Sequence, residues 1–348
     1  MKEKPLVSAI TPVYNGEKYV AECIESVLNQ TYGNWDYVIV NNRSTDRTLE
    51  IAQNYARQDS RIRIHNNEQF VGVIQNHNIA FRLISPESKY CKVVQADDWL
   101  FSDCLAQMVE VAEANPSVGI VGSYRLDGAK VNLDGLPYPS TVVPGRQICR
   151  STLFGTLYVF GSPTSLLYRS DLIRKHEEFF DESSGSTHVD TDACYEVLRN
   201  TDFGFVHQVL TYTRRPQEAE ASVHRRVNSY IAGELLCLTK YGPIFLDRVE
   251  YQQRLEDVLE RYYKFLGEAV FQRRDKQFWD YHSNALKTLG YPLRWSRFLK
   301  ASCLPAKDFL FHPAHIFRRV VRLVWNRSVT WSFLFAIFIK QISKNSVG

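Results

Sequence analysis

The chain has no CxxC pair, no apolar run long enough for a bilayer and no strong charge of either sign, and each absence excludes a class of protein. Its seven cysteines, Cys23, Cys91, Cys104, Cys149, Cys194, Cys237 and Cys303, are scattered. That pattern argues against a zinc site and a disulfide framework, and suits a reducing compartment. A membrane span needs roughly 18 to 20 apolar residues. The longest candidate, residues 329–339, falls short. The opening string MKEKPLVSAITPVYNG lacks the apolar core of a signal peptide, because its apolar run is short, β-like and broken at Pro12. A cytoplasmic chain is expected. The net charge of +4 over 348 residues, with both signs mixed, leaves no global field for a polyanion, so nucleic acid is not an expected partner.

What is present is ordinary for a folded protein: 45% hydrophobic and 23% charged residues, enough for one large domain or two smaller ones. Apolar runs at 6–10, 37–40, 62–65, 91–94 and 118–124 read as strands. Helical spacing falls between them, first at Tyr19, Val20, Ile24, Val27 and Leu28, then up to Tyr55 from an N-cap at Ser44 or Thr45, then at 75–83 and 104–114. Strands alternating with helices of about 10 to 12 residues predict right-handed crossovers and a mainly parallel sheet. Prolines 137, 139 and 144 punctuate a loop-rich stretch, and the alternation is irregular through 155–213. Beyond residue 228 the spacing predicts helices at 230–241 and 255–269.

In an open parallel sheet, ligands bind at the carboxyl ends of the strands. Here those ends are polar: Thr11, Pro12, Tyr14 and Asn15 after the first strand; Asn41, Asn42, Arg43, Ser44, Thr45 and Asp46 after the second; Gln95, Asp97 and Asp98 after the fourth. Two adjacent carboxylates repel unless a cation lies beside them. A hard divalent ion, Mg²⁺ or Mn²⁺, held by one or two carboxylates plus phosphate oxygens, meets that need. Taken alone, Asp98 fits an exposed turn or helix cap equally well.

The strings VSAITPVYNGEKYVAECIESVLNQTYGNWDYVIVNNRSTDRT and VVQADDWL resemble glycosyltransferase family 2, whose members open with VSVIIPTYN, ESVLNQT, VVDDGSTDGT and an acidic D-x-D-D turn. The resemblance covers residues 5–125 and continues weakly to 215. It implies an α/β, Rossmann-like GT-A domain with a mainly parallel central sheet over residues 1–227. Residues 1–125 would be the nucleotide-binding half and 126–227 the acceptor half, followed by a helical C-terminal region at 228–348. It further implies that Thr11, Pro12 and Tyr14 flank a base and ribose, that Asn42 faces the base edge, that Asp97 approaches the ribose or diphosphate, and that Asp98 ligates the metal. Asn41 and Asn42 replace the usual Asp-Asp, and Gln95 replaces a further Asp. An amide at the base edge suits uracil or thymine better than guanine, which favours a UDP- or dTDP-sugar.

The family's catalytic base is an Asp opening a helix after a phrase like FDE. Phe180, Asp181 and Glu182 supply that phrase, and HVDTDACYEVL then places Asp190 at the base, with Asp192 as the alternative because Val189 replaces the usual Glu. Both aspartates also fit simple helix capping. His188 would line the acceptor pocket. Arg214, Arg215 and His224 bracket a polar loop where the family keeps a mobile lid; the arginines would meet phosphate, and His224 would complete the metal shell, although a solvated charge cluster fits the same residues. In residues 314–326, helical phasing sets Ile316, Phe317, Val320, Val321, Val324 and Trp325 against Arg318, Arg319 and Arg322. Such a basic, aromatic tail suits peripheral contact with the inner face of a membrane, or packing on protein.

Together these features imply a metal-dependent inverting transferase. It would move a sugar from a nucleotide-diphosphate donor to a hydroxyl of a glycan or lipid-linked acceptor in cell-surface polysaccharide assembly. The alternative is a catalytically silent sugar-nucleotide or glycan-binding protein of the same fold. A nucleotidyltransferase would need a Gly-rich, basic loop after the first strand, and TPVYNGEKY is not one.

Overall fold

A computed structural model describes residues 4–184, 188–215, 227–272 and 274–301. The chain divides into two compact units, Met1–Val258 and Leu259–Gly348. The first begins with β1 (Val7–Val13), α1 (Val20–Leu28), β2 (Trp35–Asn41), α2 (Thr48–Ala56), β3 (Ile62–Asn66), α3 (Val73–Arg82) and β4 (Tyr90–Val93). β1 is buried at all seven positions, as a strand covered by helices on both faces must be. On α1, Val20, Cys23, Ile24 and Val27 recur at helical spacing and pack into the core with Val7, Ala9, Tyr37, Ile39, Leu105 and Met108.

There follow β5 (Trp99–Leu100), α4 (Cys104–Ala114), β6 (Val118–Asp127), β7 (Lys130–Asn132), β8 (Val142–Val143), α5 (Gly145–Phe154), β9 (Leu166–Arg169), α6 (Ser170–Ile173), α7 (Val189–Leu198) and β10 (Asp202–Thr213). The sheet order is β3-β2-β1-β4-β9-β6-β10-β5, with β7 beside β6 and β8 beside β10. β3, β2, β1 and β4 run parallel, as do β6 and β10. β9 slots antiparallel between β4 and β6. The α/β sheet of mainly parallel strands thus matches the expected class, while β9 and β10 supply order where the sequence read as irregular.

The start of α2 differs from the expected cap. Ser44 and Thr45 do not cap α2, whose N-cap is Arg47. The Ser44 hydroxyl is taken by the Asn15 amide instead, and Asp46 accepts from the Thr48 N–H at 3.0 Å.

Two helices, Tyr230–Phe245 and Arg248–Phe271, follow β10, and Tyr241 of the first stacks on Tyr195 of α7 at 4.5 Å. In the second unit, the Asp275 side chain caps the helix Lys276–Thr288, and buried His282 meets the Tyr262 hydroxyl at 2.7 Å. No helix among the described residues is long and apolar enough to cross a membrane. The tail at 314–340 lies outside the described residues.

Candidate active site

The site lies where β1, β2, β4 and β10 end, and its two outer loops are laced together by side chains. Asn15 N–H donates to Ser44 Oγ at 3.0 Å, and Asn15 Oδ1 accepts from the Thr45 N–H at 2.8 Å. Gly16 N–H reaches Thr48 Oγ1 at 2.7 Å, while Glu17 and Asp46 each accept the other loop's backbone N–H at 3.0 Å. Asn15 and Arg43 both take positive φ, a conformation Asn tolerates better than most residues. The polar string NGE…RSTDRT is thus a brace between two strand ends.

Within this frame the expected nucleotide residues separate. Tyr14 is exposed and its ring meets Phe70 edge-on at 4.9 Å. Phe70, also exposed, was not singled out in the sequence; an aromatic in the polar stretch HNNEQF was the available signal. Thr11 and Pro12 are buried, on opposite faces of β1. Thr11 Oγ1 donates to the Val94 carbonyl at 2.7 Å and pairs with the Tyr37 hydroxyl at 2.7 Å, tying β1 to the end of β4.

Asn42 is buried and its amide is engaged. Nδ2 donates to the Val71 carbonyl at 2.8 Å, and Oδ1 accepts from the Val71 and Asn67 nitrogens at 3.0 Å. The side chain therefore grips the segment before α3 rather than presenting its amide to a crevice. Asn41 likewise donates to Asn66 Oδ1 at 2.6 Å. The two asparagines act as loop anchors, a role the strand-end reading did not assign them.

Asp97 and Asp98 sit in a turn closed by Asp98 N–H to the Gln95 carbonyl at 2.9 Å. Asp98 is 3% exposed, and its Oδ1 accepts from the Arg214 N–H at 3.0 Å. Burial, reinforced by the neighbouring Asp97 charge, pushes the Asp98 carboxyl up to about 7. Burial also raises Asp97, against the pull of Arg214. Burial thus holds the pair against its charge, a penalty that a hard cation beside the carboxylates would relieve. Among the described residues no three His, Cys, Asp or Glu side chains gather to hold an ion, and His224 lies outside them.

Arg214 and Arg215 begin the segment expected to form a lid, and both are tied down. The Arg214 guanidinium pairs with Glu22, donates to the Asp97 carbonyl at 3.0 Å and lies 4.0 Å over the Tyr19 ring. Arg215 forks onto Asp127. Trp99 stacks on Tyr212 at 3.7 Å, so the carboxylate turn is clasped to the end of β10. Residues 216–226 lie outside the described residues.

Asp190 and Asp192 open α7 but differ in company. Asp192 is buried and accepts from Lys240 Nζ at 3.3 Å and Cys237 Sγ at 3.7 Å. Asp190 is half-buried; burial raises its carboxyl above the usual range, with His188 pulling it down. The His188 ring stacks on Tyr230 at 5.7 Å and closes on Gly233, where a Cβ would come within 2.8 Å of it. Arg125 of β6, its side chain 12% exposed, bears electrostatically on both Asp98 and Tyr158, and Tyr158 in turn feels Asp190. The carboxylate turn and the start of α7 thus share one electrostatic neighbourhood.

The sequence model of glycosyl transferase family 2 matches residues 8–176, which hold both laced loops, the Asp97–Asp98 turn and β9. Residues 8–176, a little under half of the chain, are thus similar to glycosyl transferase family 2. Curated relatives include the putative glycosyltransferase EpsH of Bacillus subtilis (strain 168), 36% identical over 54% of this chain and 54% of its own length. Another is the putative teichuronic acid biosynthesis glycosyltransferase TuaG of the same organism, 36% identical over 45% of this chain and 62% of its own length. An uncharacterized glycosyltransferase of Haemophilus influenzae is 30% identical over 52% of this chain and 57% of its length. The chain thus spans little more than half of these relatives. The fold is shared with S. aureus TarS 1–349 in complex with UDP-GlcNAc, at a TM-score of 0.61 and 20% identity, covering 81% of this chain and 80% of that one. It is shared also with the mannosyltransferase PcManGT from Pyrobaculum calidifontis in complex with GDP-Man and Mn²⁺, at a TM-score of 0.53 and 13% identity, covering 94% and 89%. The expected GT-A architecture is met.

Proposed function

We propose that this chain is a metal-dependent, inverting glycosyltransferase. It transfers a sugar from a nucleotide-diphosphate donor to a hydroxyl of a glycan or lipid-linked acceptor in surface polysaccharide assembly. The observation that carries this reading is the division of labour between the two carboxylates that open α7. Asp192 is held by a lysine, whereas Asp190 keeps a raised affinity for protons and no ion pair with Lys240. A carboxylate in that state suits proton abstraction. Asp190 takes the proton of the acceptor hydroxyl; the oxygen bonds to the anomeric carbon as the carbon–oxygen bond to the diphosphate breaks on the opposite face. A single base suffices, and the configuration inverts.

Asp98, with Asp97, is the pair that would hold Mn²⁺ or Mg²⁺, and a carboxyl held against its charge by burial fits such an ion. When bound, the ion would neutralise the departing diphosphate. Tyr14 and Phe70 form an aromatic edge suited to stacking on a base. A UDP-sugar is favoured because the TarS structures of the same fold are complexes with UDP and UDP-GlcNAc; the engaged amide of Asn42 adds nothing to that choice. The relatives named for teichuronic acid biosynthesis and Eps support a polysaccharide acceptor. The basic, aromatic tail from residue 314 would hold the chain peripherally at a membrane.

The test is turnover of UDP-sugars by the full chain with Mn²⁺ or EDTA, with and without polysaccharide acceptor. Metal-dependent, acceptor-stimulated release of UDP supports the reading. Binding of sugar nucleotide with no turnover under any condition would overturn it in favour of a silent binding protein.

A further inference from the structure

The turn that carries Asp97 and Asp98 is held from beneath by a residue remote in sequence. Thr164 sits in a single 3₁₀ turn, Pro163–Ser165, with its side chain wholly buried. That turn is set locally: Gly161 takes positive φ and could carry no Cβ without striking Ser165 at 2.6 Å. Ser165 N–H donates to the Ser162 carbonyl at 2.8 Å, and Pro163 occupies the first position. The string GSPTS is therefore a rigid support whose product is the placement of one hydroxyl.

That hydroxyl accepts the Gln95 N–H at 3.0 Å, the first residue of the carboxylate turn. Asp98 closes the same turn onto the Gln95 carbonyl, and Arg214 fixes Asp98 Oδ1. A hydroxyl that has accepted a hydrogen bond still has its own proton to give, and the Asp98 carboxylate is the charged group it favours.

The Thr164 carbonyl is braced in turn. Lys92 of β4 is fully buried; its Nζ donates to that carbonyl at 2.7 Å and lies 3.5 Å from Met108 Sδ. Burying an amine is costly unless it is hydrogen-bonded, and an apolar side chain of similar length would satisfy packing alone. What Lys92 does here beyond filling space is to hold the Thr164 carbonyl.

We propose that Thr164, braced by Lys92, is a positioning residue that fixes the Asp97–Asp98 turn and thereby aims Asp98 at the metal–diphosphate group. The inference rests on the reading of Asp98 as the metal-holding carboxylate. Neither residue touches the donor or acceptor in this scheme. Each acts through the turn, as outer-shell partners of metal ligands do.

The test is Mn²⁺ titrated into the full chain, with UDP held at saturation, read by water-proton relaxation, with thermal unfolding followed in parallel. Thr164→Val keeps shape but removes the hydroxyl; it is expected to weaken Mn²⁺ binding about tenfold or more. Thr164→Ser should restore it to within about twofold. Lys92→Met, which removes the brace without opening a cavity, should weaken Mn²⁺ binding in the same direction while its melting temperature stays level or rises. A merely structural role would lower the melting temperature of Thr164→Val and leave Mn²⁺ affinity unchanged. That outcome, with Lys92→Met also binding normally and Asp98→Asn binding poorly, overturns the inference alone. Wild-type affinity in Asp98→Asn would instead overturn the reading of Asp98, and this inference with it.

Discussion

Replacing Asp98 by Asn should change how stability depends on pH, in a way that follows from its burial. In the folded chain the Asp98 carboxyl is pushed up to about 7; in the unfolded chain it titrates at its ordinary 3.8. Between those values the folded state holds one proton more than the unfolded state, so stability falls as pH rises, by about 1.4 kcal/mol per pH unit. The contribution is fully present below about pH 4, is lost progressively up to about pH 7, and is flat beyond. Over the whole interval it amounts to about 4 kcal/mol. Asp98→Asn cannot ionise, and its side-chain oxygen can still accept the Arg214 N–H. It should therefore show a shallower decline between pH 5 and pH 8, and should be the more stable protein at pH 8 in EDTA. Saturating Mn²⁺ should raise the stability of the native sequence at pH 8 and leave the variant unchanged. The assay is urea unfolding at pH 5, 6, 7 and 8, with EDTA or Mn²⁺, for both proteins. Parallel pH dependence in EDTA would refute the claim that Asp98 is held against its charge.

Asp190→Asn should lower the rate of sugar transfer by about a hundredfold or more with UDP affinity nearly unchanged, measured by steady-state kinetics and calorimetry. Asp192→Asn should do less to transfer and instead cost about 1–3 kcal/mol of stability, because it leaves Lys240 without its buried partner; a reversal of the two effects would move the base to Asp192. Phe70→Ala should weaken UDP binding by about 2- to 10-fold in calorimetry, the range of a single aromatic contact, with no change in Mn²⁺ dependence. A chain ending at residue 313 should pellet less with anionic liposomes than the full chain, and the difference should shrink as salt rises from about 0.1 M to about 1 M. Equal pelleting of both would assign the tail to protein contacts.

The parallel strands and their helices were legible because their signal is local. Val20, Cys23, Ile24 and Val27 mark α1 by spacing alone, and short apolar-rich runs at 6–10 and 37–40 mark β1 and β2. The carboxylate turn was legible too, since Asp97 and Asp98 follow a buried strand directly. What could not be read were roles set by partners far along the chain. Asn42 looks available in sequence, yet Val71 and Asn67 occupy its amide, 29 and 25 residues away. Asp190 and Asp192 are alike in sequence, and partners such as Cys237 and Lys240, 45 and 48 residues beyond Asp192, tell them apart. Thr11 looked like a pocket residue because it ends a strand, but strand alternation turns its hydroxyl towards Tyr37 and Val94. β9 was hidden because its four residues, LLYR, are too short for a periodic pattern to establish itself.

The clasp between Trp99 and Tyr212 bears on biosynthesis. β5, which follows the carboxylate turn, has β10 as its neighbour in the sheet, and β10 is the last strand of that sheet to leave the ribosome. A nascent chain of 176 residues would contain every match to the family model, yet would lack both the strand that docks Trp99 and the Arg214 N–H that fixes Asp98. Premature termination before β10 should therefore yield fragments with a recognisable signature and an unformed carboxylate turn. For the same reason, shortened versions of this protein intended to keep activity should extend past Arg215.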